Sequence, residues 1–203
     1  MRVTMNEDRT AEIKLKPGDA LLLVDIQNDF LPGGSLGVPN GNRVLAPINL
    51  AIRLFHDKGF PILATRDWHP EKHCSFKSQG GPWPVHCVAG TRGAQFSSAL
   101  NFPEGILVIS KATSEKFDAY SGFQGTDLVQ IIKKLEVKRL FIGGLATDYC
   151  VLNTVKDALN LGFQVILIKN AIQAVNVSPN DGDRAIMEMK SLGAIMANSE
   201  ELK

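Results

Sequence analysis

Six short apolar segments, each rich in Leu, Ile, Val or Ala, are the feature that most limits how this chain can fold. They cover residues 20–24, 61–64, 106–109, 139–142, 165–168 and 194–197. None of them alternates apolar with polar residues, and an unbroken apolar run is typical of strands buried on both faces of a parallel sheet. The segments therefore predict six strands in a mainly parallel sheet.

Helical periodicity separates these segments. Apolar residues recur at i, i+3, i+4 and i+7 over 128–135, and Thr126 is the expected N-cap of that helix. Three more apolar stripes are predicted at residues 44–55, 151–159 and 186–192. A glycine follows each of these three, as is common in the left-handed position after a helix: Gly59, Gly162 and Gly193. Alternating strands and helices predict a three-layer α/β/α fold with right-handed crossovers.

One long stretch, residues 67–102, departs from the alternation. It shows little periodicity, and glycines and prolines at 80–84 interrupt any regular element. Loops of this length in compact domains are commonly functional. We expect a single domain over 1–203, with the mixed-charge residues 1–19 as a poorly ordered lead-in followed by a surface strand or turn.

Composition excludes several classes of partner. The 22 basic residues nearly balance the 21 acidic ones, and a formal net charge of +1 gives no field that would attract nucleic acid or an anionic membrane surface. The longest apolar run, 20–24, is far shorter than the roughly 18 residues of a membrane-spanning helix. Three cysteines without C-x-x-C spacing predict no disulfide framework. We expect a cytoplasmic protein that acts on a small molecule. Its oligomeric state is left open between a monomer and a homo-oligomer.

Polar side chains come at the ends of four predicted strands. Asp25 follows the first, Asp67 and His69 follow the second, Lys111 follows the third, and Cys150 comes shortly after the fourth. Ligands of open α/β sheets bind beyond the carboxyl ends of the strands, so an acid, a cation and a thiol are expected to converge there. Each residue alone also has a structural explanation, since a strand-end Asp often forms a turn and an apolar-flanked Cys is often core.

Cys150 is predicted near the N-terminus of the third helix. Exposed backbone N–H groups and the helix dipole favour a thiolate at that position. A nearby Lys111 would lower the pKa of the thiol further. The sequence therefore predicts an acidic thiol.

Three of the four histidines, His69, His73 and His86, fall in the long loop, whereas His56 lies in the first helix and is expected at the surface. Residues two apart in an extended segment share a face, so Asp67 and His69 can bind one ion together with His86. Two imidazoles and a carboxylate leave positions open for substrate. His73 could be a fourth ligand, a neighbour of the ligands or a substrate contact. A hydrogen-bonded loop network without metal is the alternative.

Aromatic residues lie in or near the same loops: Phe30, Trp83, Phe117 and Tyr120. A pocket walled by such rings would suit a flat heteroaromatic substrate, although each ring alone is better explained by packing. The glycine-rich motifs of nucleotide cofactor sites are absent from the sequence, so it gives no sign of such a cofactor.

Seven blocks of residues follow one another in a characteristic order: LVDIQNDF (23–30), PGGSL (32–36), RDWHP (66–70), WPVHCV (83–88), KA (111–112), FDAYSGF (117–123) and GGLATDYCV (143–151). With these blocks the chain resembles the isochorismatase-like cysteine hydrolases. Among them it is similar to the members that convert nicotinamide, and also pyrazinamide, into the acid and ammonia during NAD salvage.

The resemblance implies roles for individual residues. Asp25, Lys111 and Cys150 would form a catalytic triad that works through a cysteine thioester. The backbone N–H groups of Ala146 and Cys150 would form the oxyanion hole, with a cis peptide bond before Ala146. An alternative within the family is a hydrolase of carbamoyl or ureido compounds, and an alternative outside enzymes is a metal-dependent binding protein without turnover.

The resemblance also implies a metal and a mode of substrate binding. Asp67, His69 and His86 would bind one divalent ion, with zinc foremost and manganese or iron as alternatives. The ion would orient the pyridine ring of the substrate. Aromatic side chains would pack against that ring: Phe30, Trp83 and Tyr120.

Overall fold

The computed structural model describes residues 12–203. Its six strands are β1 (Asp19–Val24), β2 (Ile62–Asp67), β3 (Leu107–Lys111), β4 (Arg139–Leu145), β5 (Gln164–Gln173) and β6 (Ile195–Ala197). They form one sheet in the order β3-β2-β1-β4-β5-β6, and every neighbouring pair is parallel. The predicted α/β fold with six strands is confirmed.

Four helices cover the sheet, as the periodicity predicts: α1 (Leu45–Asp57), α2 (Leu128–Lys134), α3 (Leu152–Asn160) and α4 (Asp181–Ser191). A π-helical turn, Thr147–Val151, leads into α3. Gly59, Gly162 and Gly193 follow their helices with φ of +71°, +86° and +108°. The left-handed conformation expected of these three glycines is confirmed.

Two apolar cores lie on opposite faces of the sheet. Leu21 and Leu23 of β1 pack with α1 on one face, whereas Leu22 and Val24 pack with α2, α3 and α4 on the other. Successive strand residues point to opposite faces, so an unbroken apolar strand supplies both cores at once. The result is the predicted three-layer arrangement.

The two outermost strands are less buried than predicted. Leu107 and Val108 of β3 and Ile195 of β6 are exposed, because these strands have a neighbour on one side only. The expectation that all six strands are buried on both faces is wrong for this pair.

The predicted N-cap of α2 is also wrong. Asp127 occupies the N-cap position, without a side-chain hydrogen bond. The Thr126 hydroxyl donates to the Gly122 carbonyl at 2.6 Å and accepts from the Leu128 N–H at 3.3 Å. Thr126 therefore stabilises the turn that precedes the helix.

The start of the described chain is held in place by its end. Ile13 forms a parallel bridge with Leu202, and the Leu15 N–H donates to the Lys203 carbonyl at 2.8 Å. This bridge and the turn at residues 17–18 agree with the surface strand or turn expected before β1, and residues 1–11 lie outside the described part. No helix within 12–203 has the length and apolarity needed to cross a membrane.

The strand order places the polar strand ends side by side. Asp67 and Lys111 are paired as the last residues of β2 and β3. Asp25 directly follows β1, and Cys150 lies in the turn after β4. These four residues therefore lie at the carboxyl edge of four adjacent strands.

Candidate active site

Lys111 lies at the centre of a buried polar cluster. Its Nζ contacts Oδ1 of Asp67, lies 2.9 Å from Oδ2 of Asp25 and 3.5 Å from Sγ of Cys150, and donates to the Ala119 carbonyl at 3.0 Å. The side chains of Lys111 and Asp25 are fully buried. The structure thus brings together the acid, the cation and the thiol that the sequence placed at separate strand ends.

The two oxygens of Asp25 differ in their surroundings. Oδ1 accepts a hydrogen bond from the Thr65 hydroxyl at 2.6 Å. Oδ2 is buried and has no hydrogen-bond donor with suitable geometry among residues 12–203, although Lys111 Nζ lies close to it. A carboxylate oxygen of Asp25 lies within 4.8 Å of Cys150 Sγ. Oδ2 therefore keeps an unused acceptor position beside the Lys111 ammonium.

Burial and neighbouring charges set the ionisation of this cluster. Burial raises the pKa of Asp25, Lys111 opposes that rise, and the Asp67 charge adds to it. For Asp67 the effect of burial is outweighed chiefly by the Lys111 cation, and its pKa is lowered. Burial also disfavours the Lys111 cation, but the carboxylates of Asp25 and Asp67 hold its pKa well above the usual value. Lys111 is therefore a cation between two acids.

The expectation of an acidic thiol is wrong. Burial raises the pKa of Cys150 well above its usual value; Lys111 lowers it, and the charges of Asp25 and Asp67 add to the rise. The sulfur also lies inside the π-helical turn that precedes α3. Cys150 is therefore a thiol at neutral pH, and it needs a base before it can act as a nucleophile.

Two histidines present free nitrogens beside Asp67. Nδ1 of His69 lies 3.2 Å from the Ala112 carbonyl, and Nδ1 of His86 lies 2.8 Å from the Pro84 carbonyl. A carbonyl oxygen only accepts hydrogen bonds, so each Nδ1 is the protonated nitrogen and each Nε2 keeps its lone pair.

These three side chains fit a divalent cation. Ligand atoms of Asp67, His69 and His86 lie within 4.8 Å of one another, and all three residues are buried. Nε2 of His69 is buried without a hydrogen-bond partner anywhere in the described chain. An unpartnered lone pair beside a carboxylate, on a ring whose other nitrogen is fixed by a carbonyl, is the usual arrangement of a metal ligand.

His73 is placed differently. Its Nδ1 lies 2.8 Å from the Ser75 hydroxyl, and its Nε2 lies 3.1 Å from the Phe117 carbonyl. Both nitrogens are thus engaged away from the candidate metal site. His73 is fully buried and stacks on the His69 ring. Of the three alternatives for His73, the geometry favours a neighbour of the ligands. His56 is exposed on α1, as expected.

An aromatic pocket opens above the cluster. Phe30, Trp83 and Tyr120 all line it, together with Cys150. The indole N–H of Trp83 donates to the Tyr120 hydroxyl at 2.9 Å, which fixes the two rings relative to each other. Phe117 was expected among these rings, but this residue is 74% exposed.

Several pocket residues were missed by sequence reasoning. Tyr149 contacts the Trp83 ring edge-on, with centroids 5.1 Å apart, and it directly precedes Cys150 in one of the quoted blocks. Its position next to Cys150 was the sequence feature that could have placed Tyr149 at the pocket. The remaining missed wall residues come from four separate loops: Leu36 and Val38, Ser75, Asp118 and Ala119, and Val175. Val175 lies outside every quoted block, so no sequence signal pointed to it.

Ala146 links the end of β4 to the nucleophile. The peptide bond between Leu145 and Ala146 is cis, as the resemblance implies. The Ala146 carbonyl accepts from the N–H groups of Tyr149 and Val151, each at 3.1 Å. Ala146 and Cys150 therefore belong to one tight turn, and both line the pocket.

Comparison with known proteins assigns the chain to a family. The sequence profile of the Isochorismatase domain matches residues 19–201. The chain belongs to the isochorismatase family. One relative in this family, the nicotinamidase of Escherichia coli (strain K12), is 39% identical over 201 residues, and the match covers 89% of this chain and 94% of that protein.

Solved structures of the isochorismatase fold agree in shape. A pyrazinamidase of Pyrococcus horikoshii in complex with zinc is 49% identical, with a TM-score of 0.86 over 90% of this chain and 99% of that one. PnC1 from L. infantum in complex with nicotinate is 35% identical, with a TM-score of 0.85 over 94% and 98% of the two chains. These relatives are covered over almost their whole length.

Proposed function

We propose that this chain hydrolyses nicotinamide to nicotinate and ammonia, and pyrazinamide by the same route, as a step of NAD salvage. The observation that carries the proposal is the contact of Lys111 with both Cys150 and Asp25 at the floor of an aromatic pocket. The similarity to a nicotinamidase, to a zinc-bound pyrazinamidase and to a nicotinate-bound relative supports it.

The first chemical step is general-base activation of the thiol. Oδ2 of Asp25 accepts the proton of Cys150, and the sulfur attacks the carbon of the substrate amide. The transfer is needed because burial keeps the pKa of the Cys150 thiol high. Lys111 lies against both partners and stabilises whichever of them carries the negative charge.

Collapse of the tetrahedral intermediate releases ammonia. The backbone N–H groups of Ala146 and Cys150 donate to the negatively charged oxygen that develops from the amide carbonyl. Asp25 then returns its proton to the departing nitrogen, since an amide nitrogen is too basic to leave unprotonated. The carbon–nitrogen bond breaks, and the acyl group remains on Cys150 as a thioester.

Water completes the cycle. Asp25 is again a carboxylate, and it removes a proton from a water molecule that attacks the thioester carbon. The carbon–sulfur bond breaks, the thiolate of Cys150 is reprotonated, and nicotinate leaves. One water is consumed for each amide hydrolysed, and Asp25 serves both half-reactions.

Asp67, His69 and His86 would hold the divalent ion, for which we propose zinc, with manganese or iron as alternatives. When bound, the ion would take the ring nitrogen of the substrate as a ligand and so orient the ring. The carboxylate of Asp67 also contacts Lys111, which lies against Cys150. Lys111 therefore links the ion site to the nucleophile. The substrate ring would pack against aromatic walls of the pocket: Phe30, Trp83 and Tyr120.

An ammonia-release assay tests this function. Wild-type protein is expected to release ammonia from nicotinamide and pyrazinamide, and Cys150→Ala is expected to release none while still binding nicotinamide. Cys74→Ala is the control, because that half-buried thiol lies outside the pocket. Ammonia release from carbamoyl or ureido compounds alone, or nicotinamide binding by metal-loaded wild type without any product, would contradict the proposal.

A further inference from the structure

Asp29 is a buried carboxylate held by backbone amides. It lies in a 3₁₀ turn, Asn28–Phe30, and is only 9% exposed. Within residues 12–203 no Lys, Arg or His nitrogen forms an ion pair with it. Instead, Oδ2 accepts from the Cys87 N–H at 2.7 Å, and Oδ1 accepts from the Ser35 N–H at 3.2 Å. A carboxylate this buried is stable only with such hydrogen bonds.

The stronger of these bonds reaches the segment that carries the candidate metal ligands. Cys87 directly follows His86 and has a φ of +46°, a left-handed conformation that is uncommon for a residue with a side chain. Its carbonyl accepts from the His69 N–H at 3.0 Å. One residue held by Asp29 is therefore bonded to the backbone of both histidines, covalently to His86 and by a hydrogen bond to His69.

Gly93 leaves the space that the Asp29 carboxylate occupies. A Cβ on Gly93 would lie 2.1 Å from Oδ2 of Asp29, and its three nearest atoms would all belong to this carboxylate. The Gly93 carbonyl also accepts from the Asp29 N–H at 3.0 Å. The carboxylate is thus confined between the Cys87 amide and the Gly93 backbone.

We propose that Asp29 is a positioning residue for the metal site. Its carboxylate fixes the backbone at Cys87, and this holds the imidazoles of His69 and His86 where one divalent ion can bind both. The inference rests on the part of the proposed function that assigns an ion to these side chains. Removing outer hydrogen-bond partners of metal ligands typically weakens metal binding by about 10–100-fold.

The test measures metal binding without substrate. Dissociation constants for Zn²⁺ are determined by competition with a chromophoric chelator, and the absorption spectrum of Co²⁺-loaded protein reports the ligand geometry. D29A and G93A are each expected to bind Zn²⁺ roughly 10–100-fold more weakly and to alter the Co²⁺ spectrum. G93A keeps the carboxylate and only displaces it, so it tests the same contact by a different change.

A matched control separates positioning from stability. Asp19 is a buried carboxylate at the opposite end of β1, where it pairs with Arg139. D19A is expected to lower the melting temperature and to leave the Zn²⁺ dissociation constant unchanged. The double variant G93A/D29A is expected to bind Zn²⁺ as tightly as D29A alone, because the carboxylate that the new methyl group would displace is absent.

The outcomes distinguish this inference from the proposed function. Zn²⁺ binding by folded D29A and G93A as tight as that of wild type overturns the positioning role, as does a wild type that binds neither ion. Additive losses in the G93A and D29A double variant also overturn it. A wild type that binds Zn²⁺ and never releases ammonia from nicotinamide overturns the proposed function alone.

Discussion

The imidazole of His73 stacks on that of His69, with ring centroids 4.1 Å apart and planes inclined by 29°. The hydrogen bonds of His73 run to Ser75 and to the Phe117 carbonyl, away from the candidate ion site. His73 therefore supports one face of a candidate ligand without offering a lone pair of its own.

Replacing His73 is expected to spare metal binding. His73→Phe keeps an aromatic ring against His69, so the variant should retain about as much divalent metal as wild type after dialysis. His69→Ala removes an imidazole nitrogen and should lose the ion under the same conditions. Elemental analysis of both proteins gives the metal-to-protein ratio, and equal loss in the two variants would show that His73 is itself a ligand.

Asp25→Asn is expected to separate thiol reactivity from turnover. The amide cannot accept the proton of Cys150, so ammonia release should fall by roughly 10²–10⁴-fold. The Asp25 charge raises the pKa of Cys150, so its removal should lower that pKa and speed alkylation by iodoacetamide at neutral pH. Asp19→Asn is the control and should change neither rate. Slower alkylation of Asp25→Asn would contradict the electrostatic argument.

The Thr65 hydroxyl should set the acid limit of activity. Its hydrogen bond lowers the pKa of Asp25, against the larger raising effect of burial. Activity requires the carboxylate and is lost as the pH falls through this pKa. Thr65→Val removes the hydrogen bond, so the pKa rises and the acid limb of kcat/KM moves to higher pH. Thr154→Val, which removes another buried hydroxyl, should leave the limb in place. A shift of the Thr65→Val limb to lower pH would refute this reasoning.

The bond between Trp83 and Tyr120 should contribute to substrate binding. Trp83→Phe and Tyr120→Phe each remove it and keep an aromatic ring. A hydrogen bond of about 0.5–1.5 kcal/mol predicts a KM roughly 2–10-fold higher with kcat little changed. The double variant should be no worse than either single one, because both remove the same bond. Additive increases in KM would show that each residue acts separately.

The sheet and the convergence of polar strand ends were predictable because both follow from local patterns. Unbroken apolar runs mark buried parallel strands, and in such sheets the carboxyl ends share one edge. Asp25, Lys111 and Cys150 could therefore be placed together before any coordinates were known. The contribution of Asp29 could not, because Cys87, the backbone partner that links it to the histidines, lies in a distant loop.

Properties that depend on burial could not be read from the sequence. The helix terminus and Lys111 suggested a low pKa for Cys150, but desolvation and two carboxylates reverse its direction. The sequence also did not show which aromatic residues form the pocket wall, as Phe117 and Tyr149 illustrate. Both are aromatic and adjacent to motif residues, yet the first ring faces solvent and the second lines the pocket.

Lys111 is the last residue of β3, an edge strand that is hydrogen-bonded to β2 only. Such a border strand frays at a lower free energy than the centre of the sheet, and its fraying would withdraw the ammonium from its partners while the two cores stay intact. Mild denaturant should consequently inactivate this protein before it melts, which parallel records of turnover and circular dichroism would reveal as two separate midpoints.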